Sequence, residues 1–130
     1  MKKVYNKLVR DRIPEIIQAA GRECAIEILS ELDYQQALQQ KLIEEAQEAA
    51  TADPTSTLIQ ELADLYEVID TLMTVHQIDR STILQVQAKR RSERGGLDQR
   101  IFLHWVEADA LDQDFSIGID DRAEESQNKK

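Results

Sequence analysis

One cysteine, Cys24, in 130 residues excludes an internal disulfide and a cysteine-rich zinc site. Only four glycines are present and no G-x-x-x-x-G-K-[ST] run occurs, so a Walker-type phosphate loop is excluded. No apolar run approaches the roughly 18 residues that a membrane span needs. The opening Met1-Lys2-Lys3-Val4-Tyr5-Asn6-Lys7 is charged with no apolar stretch after it, so no signal peptide is expected. Basic residues are the scarcer charge, 16 against 25 acidic, for a formal net charge of −9. Non-specific nucleic-acid binding draws its affinity from cations on phosphates and wants the opposite sign. The expectation is a cytoplasmic chain with neither membrane nor nucleic acid as partner.

What is present suffices for one folded domain. Hydrophobic residues make up 42% of the chain, which excludes wholesale disorder. Residues 107–130 hold eight acids and three bases, so this tail carries −5 and the remainder −4. It lacks helical or strand periodicity and reads as a solvated, partly disordered appendage to a domain spanning 1–106.

Asp11 and Pro14 suit the start of a helix that runs to Ala20 and stops at Gly21. Cys24–Leu29 is short and β-branched, and predicts a strand with Cys24 in the core. Ser30 followed by Asp33 resembles a capping box, opening a long helix from about Leu32 to Thr51. Asp53-Pro54 predicts a cap and a first helical position for the next helix, which reaches His76. Asp79 or Ser81 caps a last helix ending at Gly95-Gly96. Ile101–Val106 is the second candidate strand. The fold class expected is all-α, a helical bundle, with a minor two-stranded β element.

On a helical wheel of the second helix, starting from Tyr34, the apolar face is Tyr34, Leu38, Leu42, Ala46 and Ala49. Glu45 falls at about 20°, inside that face, and Glu48 at about 320°, on its margin. On the third helix, starting from Thr57, ten apolar residues fill an arc of about 200°; Glu61 lies inside it at about 40° and Asp64 on its edge at about 340°. Residues three apart on a helix are neighbours. Acid pairs at this spacing are common on solvated faces. Here each of two adjacent helices carries one, with one member among apolar neighbours, and that favours a site.

Burying an unpaired carboxylate costs several kcal/mol, and like charges facing one another cost more. Lys41, on the margin of the same face, neutralises one acid but not four. A divalent cation neutralises the group, and oxygen ligands without His or Cys select Mg²⁺, with Mn²⁺ as a substitute. His76, at a helix end, and His104, beside Trp105, have no partner at zinc-ligand spacing and are expected to be structural.

Glu44-Glu45-Ala46-Gln47-Glu48, then Glu61-Leu62-Ala63-Asp64 after twelve residues, resembles the E-E-x-x-E…E-x-x-D signature of the all-α, MazG-like nucleoside triphosphate pyrophosphohydrolases. Tyr5-Asn6-Lys7-Leu8-Val9-Arg10-Asp11-Arg12-Ile13-Pro14 and Arg94-Gly95-Gly96 resemble its small single-domain, phosphoribosyl-ATP pyrophosphohydrolase-like branch. The pattern covers about residues 4–106 and departs at Leu97, where the branch carries an aromatic. The resemblance implies a Mg²⁺-dependent enzyme that cleaves nucleoside triphosphates between the α- and β-phosphates. Glu45, Glu48, Glu61 and Asp64 correspond to its metal ligands. Glu44 corresponds to an accessory acid that helps deprotonate water or binds a further metal, so Glu44 and Glu45 are the candidate catalytic pair. Glu67 and Asp70 continue the acidic series as candidates to support the ligands from behind.

The substrate's phosphates need cations as well. Asn6, Lys7 and Arg10 from the N-terminal arm, and Lys89 and Arg94 at the end of the last helix, are the candidates, although bases in a last helical turn also complement the helix dipole. Two other functions compete: phosphoribosyl-ATP hydrolysis in histidine synthesis, and a non-catalytic helical dimerisation module stabilised by metal. Under each reading the wide apolar arc of the third helix favours a homo-oligomer, a dimer or dimer of dimers.

Overall fold

Ser30 settles where the longest helix begins. Its backbone is extended, and its hydroxyl accepts the Asp33 N–H at 3.2 Å. That satisfies one of the donors every helix start leaves without an intrahelical partner. The computed structural model, described over residues 1–54 and 56–108, contains four helices: α1 (Ile13–Ala19), α2 (Glu31–Thr51), α3 (Thr57–Val75) and α4 (Arg80–Arg94). The chain divides into two compact units, Met1–Thr82 and Ile83–Lys130. No described helix is long and apolar enough to cross a membrane. The acidic tail proposed from the sequence lies almost wholly outside the described residues.

In the first unit, α2 and α3 pack on one another across the short connection after Thr51, forming an αα-hairpin. Leu38 from α2 and Val68 and Met73 from α3 are buried. Gly21 closes α1 in the left-handed region (φ 78°), with its N–H on the Gln18 carbonyl and the Arg22 N–H on Ile17. Gln77 closes α3 in the same way at φ 56°, and Ile78 N–H reaches the Met73 carbonyl at 2.8 Å.

Several expectations are corrected. Among the described residues there is no strand. Neither Cys24–Leu29 nor Ile101–Val106 is paired; Ile26, Ile28, Ile101, Phe102 and Trp105 are exposed. A two-stranded ribbon without a third strand or a covering helix is marginal in water, so β-branched composition alone does not hold one. Cys24 is exposed rather than part of the core. Pro54 does not open α3: the helix starts at Thr57, and the Asp53 carbonyl instead accepts Leu58 N–H and Thr57 Oγ1.

In the second unit, α4 ends at Gly95: its N–H makes the last i→i−4 bond, to the Arg91 carbonyl, and its positive φ of 85° then turns the chain out of the helix. The Arg91 guanidinium lies over Gly96, where a Cβ would meet it at 2.9 Å, and pairs with Asp98.

Candidate metal centre

The wheel places Glu45 among apolar neighbours, and it is buried, 6% exposed, on the face of α2 that carries Leu38. From α3, Glu61 and Asp64 rise to meet it. Carboxylate oxygens of Glu45, Glu61 and Asp64 all lie within 4.8 Å of one another. Opposite oxygens around one Mg²⁺ are about 4.2 Å apart, twice a bond of about 2.1 Å. Small side-chain adjustments bring the three into range.

Two observations make this trio costly as it stands. Glu45 Oε2 and Glu61 Oε2 are buried without a hydrogen-bond partner. A buried acceptor of that kind carries its full desolvation penalty. Lys41 Nζ stands 3.5 Å from Glu45 Oε1, one turn away, and serves only the other oxygen. The orphaned atoms and the all-oxygen donor set fit a hard divalent cation. The residues that would hold it are Glu45, Glu61 and Asp64.

Burial pushes the Glu45 carboxyl up from its ordinary value near 4.5, the charge and hydrogen bond of neighbouring Glu48 push it further, and Lys41 opposes both. An acid whose folded pKa exceeds its unfolded one binds its proton more tightly in the native state. Its contribution favours folding at low pH and is lost as pH rises from the ordinary value, about 4.5, through the raised folded one. With chelator present, the melting temperature of the wild type relative to Glu45→Gln is therefore expected to fall from pH 4 to pH 7. A pH-independent difference would remove the burial argument.

Other sequence candidates sit in different surroundings. Glu48 is exposed on the solvent side of Glu45 and outside the three-acid group. Glu44 accepts from Lys7 Nζ at 2.7 Å, and this bond holds its carboxyl below the ordinary range. The same bond, with Glu44's charge, raises Lys7. Arg10 donates to Asp64 Oδ1 at 2.8 Å. Asn6 is exposed with φ 47°, a left-handed turn that Asn tolerates, placed just before Lys7. Asp70 pairs with Arg80 at 3.2 Å, and Glu67 is exposed. Lys89 and Arg94 belong to the second unit; Lys89 lies 3.8 Å from Glu93, and Arg94 is exposed in the last turn of α4. His76 caps α3 with its backbone N–H on Leu72, and His104 meets Phe102 edge-on.

The ion pairs of Lys7 and Arg10 span 37 and 54 residues, and no local sequence signal announces them. Arg80 on Asp70 also escaped sequence reasoning; ten residues apart, the two straddle the turn after α3.

No family model matches the chain. It is 46% identical over 54 residues to an uncharacterized protein of Mycolicibacterium smegmatis, a stretch that takes in 42% of this chain. The chain spans about half the length of that relative, 55% of it. No solved structure matches.

Proposed function

We propose that this chain is a Mg²⁺-dependent nucleotide pyrophosphohydrolase. It hydrolyses a nucleoside triphosphate between the α- and β-phosphates to the monophosphate and pyrophosphate, clearing canonical or damaged nucleotides. One observation carries the reading: a buried glutamate on α2 with two acids of α3 at its oxygens, two of those oxygens orphaned. The E-E-x-x-E…E-x-x-D resemblance supplies the reaction class.

A substrate bearing about four negative charges is repelled by bare carboxylates, so binding needs a bridging cation. When bound, Mg²⁺ supplies charge neutralisation of the phosphates and a lowered pKa for a bound water. The chain's own residues do the rest. Glu45, Glu61 and Asp64 would hold the cation, with Glu48 beside them. Glu44, kept ionised, accepts the proton that the attacking water gives up. Water adds to phosphorus as the bridging P–O bond breaks, and the pyrophosphate leaves with its electron pair. No covalent nucleophile takes part. The direct test is pyrophosphate release from a panel of nucleoside triphosphates with Mg²⁺. Folded protein that turns over none of them overturns the proposal.

The same proposal includes a homo-oligomer, a dimer or dimer of dimers. The wide arc of α3 is covered on its inner half, while Ile59, Leu62 and Tyr66 on its outer half stay exposed. Light scattering after size exclusion is expected to give at least twice the 14.9 kDa chain mass. A monomeric mass contradicts it.

A further inference from the structure

The arm that leads into α1 has no regular secondary structure up to Arg10. Two ion pairs tie it to the hairpin, Lys7 to Glu44 on α2 and Arg10 to Asp64 on α3. Both pairs are partly exposed, so each is readily exchanged. Asp64 is also one of the three acids with carboxylate oxygens within 4.8 Å of one another. Arg10 and a divalent cation would draw on the same carboxylate, and their like charges would set them against each other there.

Charge balance points the same way. Glu44, Glu45, Glu48, Glu61 and Asp64 face Lys7, Arg10 and Lys41, a formal excess of two negative charges. The arm cations thus moderate the cluster without neutralising it. A divalent cation on the acids reduces the demand for Lys7 and Arg10, and a polyphosphate arriving with it offers them new oxygens. Arginine suits that transfer, because its planar fork binds carboxylate and phosphate alike.

We propose that Lys7 and Arg10 are exchangeable counter-ions. They hold Glu44 and Asp64 in the metal-free protein and pass to phosphate oxygens of the substrate once the acids carry a divalent cation. The arm is then a strap whose closure over the polyphosphate is conditional on metal. This inference rests on the metal-dependent reading above, and goes beyond it in assigning the arm two successive partners.

Calorimetry on the full chain separates the two steps, with Mn²⁺ alone as the first probe and inorganic tripolyphosphate with saturating Mn²⁺ as the second. Arg10→Ala removes the competitor, so Mn²⁺ is expected to bind about two- to fivefold more tightly, as for loss of an exposed ion pair. The same variant is expected to bind metal-tripolyphosphate at least about tenfold more weakly, the lower range for a charge-assisted bond. Lys7→Ala is expected to shift both affinities in the same directions, and Arg10→Lys to restore both towards wild type. Arg12→Ala, which loses only its pair with Glu15, leaves both unchanged. A purely structural arm would weaken both bindings together, and that result overturns the exchange. So does tighter Mn²⁺ binding with unaltered tripolyphosphate affinity. Wild-type protein that takes up no Mn²⁺ instead defeats the underlying metal reading.

Discussion

Glu45→Gln and Glu61→Gln are each expected to lower pyrophosphate release by at least about a hundredfold, while the metal-free protein melts no lower than wild type and melts higher for Glu45→Gln. The kinetic half follows from ligand loss: removing a group that merely orients a ligand costs about 10–100-fold, so removing a ligand costs more. The thermal half follows from burial. Glu45 is 6% exposed, with one oxygen unpartnered and Glu48 adding to its cost. Glutamine keeps the shape and removes the charge. Substituting one member of a well-paired buried salt bridge has the opposite outcome, a loss of about 3–5 kcal/mol. The direction of the melting shift therefore tells whether Glu45 is a strained acid awaiting a cation or half of a satisfied pair with Lys41. Its 3.5 Å separation from Lys41, with one oxygen unserved, favours the former. Lower metal-free melting in both variants would sink the argument.

The second large effect concerns the cation. Chelation is expected to abolish turnover, and Mg²⁺ at about a hundred times its dissociation constant is expected to stabilise the fold by about 2.7 kcal/mol. For a domain of this size that corresponds to a rise in melting temperature of about 10 °C. The rise should vanish in a Glu45→Gln, Glu61→Gln double variant. An unchanged melting curve on adding Mg²⁺ or Mn²⁺ would show that the acids bind neither. Metal-dependent melting with no hydrolysis of any nucleotide would identify a structural site instead.

How far the amino-acid order alone leads depends on the range of the interaction. Signals carried within one turn were sufficient. Gly21 ends α1, Ser30 starts α2, Gly95 ends α4, and a 3.6-residue period puts Glu45 inside an apolar face. The same period, read on α3, puts Glu61 at the hairpin interface. Short apolar runs misled, because strand formation is decided by partners elsewhere: Cys24–Leu29 has the composition of a strand and no ladder to join. Pro54 misled for a related reason. It is compatible with a first helical position and equally with a turn, and the Asp53 carbonyl selected the turn. The arm's pairing with Glu44 and Asp64 depends on how α2 and α3 are brought side by side, and only the folded hairpin defines that arrangement.

On the proposed reading, the position of Glu45 sets durability against turnover. A laboratory evolution campaign for heat tolerance, run in chelating buffer, would enrich uncharged or aliphatic replacements at residue 45 and discard the proposed activity with them. On the proposed metal-dependent reading, the same campaign run in millimolar magnesium would spare the glutamate, because a bound cation would turn the liability into an anchor. Which survivors emerge is thus decided by the composition of the medium before any mutation arises.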